Sequence, residues 1–225
     1  MSLAAVGSAS FGAGGAEPYA RALRSSDARL FLHADDGDGA HDVLDVARWS
    51  ADADASDLTL LQAVTGPLLD VGCGPGRMVR AALALDLVAL GIDISPAAIE
   101  LARSTGLPVV RRSVFDRVPR EGRWQTVLLV DGNIGIGGDA AALLRRCAGL
   151  AIPGGDIIVE TSPDETRDRA FTARVADAVG RTSAEFPWAE LGRRPLVGLA
   201  DRLGLDVRQS WEIAGRSFSR LAVRR

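Results

Sequence analysis

A chain of 225 residues, 47% of them hydrophobic, is long enough to bury a substantial core and suits a single α/β domain. Its net charge of -3 excludes the basic footprint of a nucleic-acid binder, and no basic run marks a membrane surface, so a small, roughly neutral partner is expected. Cys73 and Cys147 belong to no metal-spaced cluster, so no metal site is expected and both read as reduced thiols of a cytoplasmic protein.

Residues 1–17 are small and rich in Gly, Ala and Ser, without the basic start and compact apolar core of a signal peptide. They read as a disordered tail ahead of a single domain over 18–225. A short helix is expected at 18–26, with Tyr19 and Leu23 on one face. The apolar run ending at His33 meets an acidic, glycine-broken turn that lacks the spacing and terminal Glu of a calcium loop. Two helices, 42–50 and 55–64, precede the turn at Gly66-Pro67.

Leu68 to Val71 reads as an apolar strand that ends on Gly72, Gly74 and Gly76 and runs into a helix over 76–85. Gly72 and Gly74 permit a sharp turn and a close approach to a ligand, and the helix start is expected to place free N–H groups beside a cleft. A second strand, 87–92, ends on Asp93, where a carboxylate can accept from two ribose hydroxyls. Ser95 and Pro96 then read as N-cap and first helical residue. A third strand at 109–112 leads into Ser113-Val114-Phe115-Asp116, and a fourth at 124–130 ends in the glycine-rich loop that starts Asp131-Gly132-Asn133. A helix at 139–150, a strand at 154–160 ending on Glu160, a helix at 166–181, a connection holding Phe186-Pro187-Trp188 and a helix at 195–203 follow. Runs 205–212 and 218–223 around Ala214-Gly215-Arg216 read as a hairpin.

Asp70 through Gly76, together with Gly91-Ile92-Asp93-Ile94-Ser95-Pro96, resembles the first two motifs of the class I S-adenosylmethionine-dependent methyltransferases. Arg77 stands where a dinucleotide fingerprint wants Gly or Ala, which argues against a pyrophosphate cradle. The resemblance implies a Rossmann-like, doubly wound seven-stranded sheet with a C-terminal antiparallel hairpin, and S-adenosyl-L-methionine as cofactor. It places Asp70, Gly72, Cys73 and Gly74 at the methionine end and Asp93 with Ile94 at the ribose. The adenine falls to Ser113 or Val114, where this sequence departs from the family's usual Asp, Asp116 coming late. Asp131 and Asn133 are the candidate polar pair facing the methyl group, and the N-terminal helices are expected to close the pocket, with Tyr19, His33 and His41 as candidates for that lid. His33 and His41 are the candidate bases near neutral pH, with nothing in the sequence to choose between them, and His33, Asp131 and Asn133 are the candidate catalytic residues.

The Asn/Asp-Pro-Pro-Tyr/Phe motif of DNA-base methyltransferases is absent from the loop after the fourth strand, which agrees with the charge balance. Methyl transfer to the O, N or C atom of a small molecule is therefore expected, with no nucleic-acid or membrane partner. A non-catalytic cofactor-binding module is the alternative, and a nicotinamide-dependent oxidoreductase is disfavoured by the glycine spacing.

Overall fold

The computed structural model describes residues 10–13, 17–25, 29–35, 41–62 and 64–224. The chain begins with α1 (Pro18–Ala22), β1 (Leu30–Ala34), β2 (His41–Leu44), α2 (Val46–Ser50) and α3 (Ala55–Leu61). It continues through β3 (Leu68–Val71), α4 (Arg77–Ala84), β4 (Ala89–Asp93), α5 (Pro96–Ser104), β5 (Val109–Arg111) and β6 (Trp124–Leu129). After a 3-10 helix at Asn133–Gly138 come α6 (Ala140–Leu150), β7 (Ala151–Thr161), β8 (Asp168–Asp177), β9 (Phe186–Leu191), α7 (Arg193–Arg202), β10 (Leu205–Ile213) and β11 (Arg216–Val223).

Seven strands form the central sheet in the order β10-β11-β7-β6-β3-β4-β5. The β3–β4, β3–β6, β4–β5 and β6–β7 pairs are parallel, while β11 runs antiparallel between β7 and β10, so the doubly wound sheet and its terminal hairpin are as expected. Successive residues of the inner strands bury opposite faces. Leu69, Val127, Leu129, Ile157 and Val159 pack with Leu143, Leu144, Leu196 and Ala200 of α6 and α7. Leu68, Leu128 and Ile158 pack instead with Leu60, Met78, Val79 and Ile99 of α3, α4 and α5. Both faces being covered, these strands are the near-continuous apolar runs visible in the sequence.

A second sheet was not expected. It has the order β2-β1-β8-β9, with all three pairings antiparallel. The helix anticipated at 166–181 is instead strand β8, because Phe171, Ala173 and Val175 recur at period two and both of its edges find partners. The helix anticipated at 42–50 is half strand, β2, before Asp45 caps α2 by accepting from Arg48 N. The connection at Phe186-Pro187-Trp188 is the start of β9, an edge strand where a proline without an N–H is tolerated. Of the segment 1–17, residues 10–13 and 17 are described, and Phe11 is half-buried among Tyr19, Trp49, Phe186 and Trp188 with ring centroids 4.8 to 6.2 Å away. Among the described residues no helix is long and apolar enough to cross a membrane.

Candidate active site

In a doubly wound sheet the strand order reverses beside the first inner strand, and a crevice opens at the C-terminal tips there. Here that point lies between β3 and β6. Gly72 and Gly74 turn the chain after β3 with φ of 73° and 53°. A Cβ on Gly72 would stand 2.7 Å from Asn133 Nδ2, whose amide donates to the carbonyls of Val71 at 2.9 Å and Gly72 at 3.1 Å. Asn133 therefore braces the glycine turn from the neighbouring loop.

The amides of this turn do not point into the cleft as anticipated. Gly72 N and Cys73 N donate to Ile92 O at 2.8 and 3.1 Å, and Gly74 N donates to Asp93 Oδ2 at 2.8 Å. Close approach of a backbone without side chains is what the turn offers a ligand. Asp93 Oδ1 accepts from Ser95 N at 2.7 Å, so the carboxylate ties two strand tips together at the cavity wall and keeps further lone pairs for a ligand. Burial raises its pKa, opposed by the amides of Ser95, Gly74 and Ile94.

Asp70 is 1% exposed and lines the same cavity, yet its Oδ1 has no hydrogen-bond partner. Burial first, then the nearby Asp131 carboxylate, pushes its pKa up to about 7 against the opposing pull of Arg77. A buried carboxylate oxygen left without a partner is costly, and a cationic ligand group is the kind of neighbour that satisfies it.

The cavity has a volume of about 740 Å³ and lies between the strand tips and the second sheet. One half is walled by Cys73, Ile92, Ile94, Ser113, Val114 and Phe115, the other by Leu32, Leu44, Trp49, Ile134, Trp188 and Leu191. The turn holding Ser113 and Val114 is pinned by Arg146, which donates to Val114 O at 2.8 Å and Asp116 O at 2.6 Å. Asp116 does not itself line the cavity. Tyr19 of α1 and Trp49 of α2 line the cavity, together with residues of β1, β2 and β9. Burial, with Asp93, Cys73 and Asp131 nearby, raises the Tyr19 pKa well above its usual value, so the hydroxyl stays a donor. His33 sits on β1, paired in register with His41 of β2, and does not line the cavity; the His41 side chain lies outside the described residues.

Asp131 sits at the end of β6 in a left-handed conformation, φ 55°. Its carboxylate is held by three guanidinium groups. Arg48 Nη1 donates to Oδ1 at 3.0 Å, Arg77 Nη2 to Oδ2 at 2.7 Å and Arg216 Nη2 to Oδ1 at 3.3 Å. Asp57, wholly buried, accepts from Arg48 Nη2 at 3.0 Å and Arg216 Nη1 at 2.7 Å. Arg77 Nε lies 3.1 Å from Asp57 Oδ2, an ion pair whose angle makes no hydrogen bond. Glu160 accepts from Arg216 Nε and Nη2, both at 2.7 Å, and from Asp131 N at 2.6 Å. Burial opposes the charge of Arg216, but Glu160 and Asp57 outweigh it and hold its pKa well above the ordinary value. Asp131 is thus a fixed strut of a buried network. Its partners Arg48, Asp57 and Arg216 escaped the sequence reading, where the only local trace was the Asp54/Asp57 capping box.

Residues 68–155, from β3 into β7, match the family described as a methyltransferase domain. Over these residues the chain carries a methyltransferase domain. S-adenosylmethionine is the cofactor of this domain. No curated protein matches the sequence.

Among solved structures, the methyltransferase domain and its flanks are similar to an S-adenosylmethionine-dependent methyltransferase from Bacteroides fragilis in complex with S-adenosyl-L-homocysteine. That likeness has 21% identity over 93% of this chain and 95% of the other, with a TM-score of 0.75. A 1,6-didemethyltoxoflavin-N1-methyltransferase from Burkholderia thailandensis, with 1,6-didemethyltoxoflavin and S-adenosylhomocysteine bound, shares 18% identity over 76% and 78% of the two chains, TM-score 0.56. An amino pentose methyltransferase of calicheamicin biosynthesis from Micromonospora echinaspora, bound to S-adenosylmethionine, shares 18% identity over 75% and 87%, TM-score 0.52. At such identities the likeness is one of fold.

Proposed function

We propose that the methyltransferase domain acts on a small molecule seated in the half of the cavity roofed by the second sheet. The observation that carries this reading is the partnerless Asp70 Oδ1 beside the glycine turn, in a cavity that continues past Asp131 to the apolar wall of Leu32, Leu44, Trp49 and Trp188. Bound S-adenosylmethionine supplies a methyl group made electrophilic by its sulfonium.

The chain's own residues hold and orient. Asp70 faces the methionyl ammonium, Gly72, Cys73 and Gly74 let the backbone come close, and Asp93 accepts from the ribose hydroxyls with Ile94 against the ring. Ser113 and Val114 flank the adenine. Asn133 and the arginine-bound Asp131 keep the turn and the β6 tip in register, so that methyl and acceptor meet in a near-attack geometry. The second sheet and Phe11 wall that half. An acceptor enclosed in this way is a metabolite, in keeping with the net charge of -3.

Calorimetry tests the reading. S-adenosylhomocysteine is expected to bind at micromolar strength, and Asp93→Ala to weaken it by about tenfold or more, at least 1.4 kcal/mol. Folded protein that gives no heat with S-adenosylhomocysteine or S-adenosylmethionine overturns it.

A further inference from the structure

We infer that the methyl acceptor is a planar arene whose attacking atom is an uncharged nitrogen, in a ring or as an arylamine. The inference rests on the methyl-transfer reading above and names the substrate class of that site. It follows from what the cavity can and cannot do with a proton.

The carboxylates lining the cavity are Asp70, Asp93, Asp131, Glu160, Asp164 and Glu190. Asp131 is bound by Arg48, Arg77 and Arg216, and Glu160 is gripped on both oxygens by Arg216. Glu190 is gripped on both oxygens by Arg169, at 3.0 Å each. Asp164 Oδ1 accepts from Thr166 N and Oγ1 at 3.0 and 2.8 Å, which holds its pKa below the usual range. Asp93 is tied to the amides of Gly74 and Ser95, and Asp70, on β3 two residues before Gly72, is the carboxylate proposed above to face the cofactor's ammonium. Tyr19 keeps its proton, and His33 does not line the cavity. Among the described side chains, which do not include His41, no group is placed to take a proton from an acceptor.

An aliphatic alcohol or a phenol must lose its proton as the new bond forms, and an alkylammonium must lose one before it can attack. An aromatic nitrogen that is neutral near pH 7 presents its lone pair as it stands. An acceptor already ionised is disfavoured as well. Arg48, Arg77 and Arg216 are outnumbered by Asp54, Asp57, Asp131 and Glu160, so the network beneath the cavity carries a net negative charge that repels a phenolate or thiolate.

The walls fit the same class. Trp49 and Trp188 line the cavity, with Leu32, Leu44, Ile134 and Leu191 around them. The volume of about 740 Å³ lies in the upper part of the 300–1,000 Å³ range of small-molecule pockets. In the transfer, the nitrogen lone pair forms the N–CH₃ bond as the carbon–sulfur bond breaks and its electron pair stays on sulfur. A ring nitrogen keeps the positive charge, which aromatic faces stabilise, and an arylamine afterwards loses its proton to water.

The test uses the full chain and matched bicyclic probes: quinoline and 1-naphthylamine against 1-naphthol, 1-naphthalenemethanol and 1-naphthylmethylamine. With methyl-labelled S-adenosylmethionine, transfer to at least one of the first two is expected to exceed transfer to each of the others by about tenfold. Quinoline is also expected to quench the tryptophan fluorescence of the S-adenosylhomocysteine-loaded protein, with the quench at least halved in Trp188→Phe and heat of S-adenosylhomocysteine binding retained. Preferred transfer to the phenol, the alcohol or the alkylamine overturns the inference. So does a loaded protein that neither binds nor methylates either nitrogen arene. Absence of S-adenosylhomocysteine heat instead defeats the methyl-transfer reading, and the two failures are separable.

Discussion

Asp70→Asn separates what this residue does for the cofactor from what it does to the fold. The folded protein holds the Asp70 carboxyl at a pKa of about 7, against an ordinary value of 3.8, chiefly through burial. The folded state therefore keeps a proton that the unfolded state has released across this interval, and linkage makes stability fall as pH rises from about 4 to about 7. Each pH unit across the interval is worth about 1.4 kcal/mol, so the penalty of this one group grows by roughly 3 kcal/mol between pH 5 and pH 7 and then levels off. Asn carries no charge at any pH and has nearly the same shape. Without cofactor, the stability of Asp70→Asn relative to the native chain is expected to rise by roughly 3 kcal/mol between pH 5 and pH 8. Its affinity for S-adenosylmethionine is expected to fall, because the ammonium loses its counter-charge. Urea unfolding of both proteins across this range isolates the group, since the other carboxylates cancel in the difference. A stability difference that does not change with pH, or that moves against the variant as pH rises, refutes the argument.

Asp57→Ala removes one of the two carboxylates that the buried Arg77 and the half-buried Arg48 and Arg216 share, leaving only Asp131 between them. A loss of about 3–5 kcal/mol is expected in urea unfolding. Asp131→Asn weakens three ion pairs at a partly exposed carboxylate and is expected to cost about 2 kcal/mol. The pH–rate profile with a nitrogen acceptor should keep its shape, whereas loss of its acid-side limb would make Asp131 a base after all. Gly72→Ala asks an L-residue to adopt φ 73° and drives its Cβ to 2.7 Å from Asn133 Nδ2. A stability loss of about 2 kcal/mol, together with weaker S-adenosylhomocysteine binding, is expected by thermal melting and calorimetry.

The stretch from Leu68 to Glu160 was legible because its signals are local. Parallel strands covered on both faces are short apolar runs, their tips are punctuated by glycines, and Ser95 caps α5 by accepting from Ala98 N. The positions of Asp70, Gly72 and Asp93 followed from that punctuation. Segments 42–44, 168–177 and 186–191 carry a mixed pattern that local propensity reads as helix or loop, and they became strands only because β1 and β8 supply edges for them to pair with.

The same division runs through the site. Sequence alone determined the sheet, its glycine turn and the acid on the neighbouring strand, since each is set by residues a few positions apart. Tertiary structure decided which way the turn's amides point, what roofs the cavity and which charges are spent. Asp57 and Arg216 are 159 residues apart in the chain and 2.7 Å apart in the fold. No periodicity or motif encodes such a meeting, because it depends on α3 and β11 being brought to the same end of the sheet by everything between them.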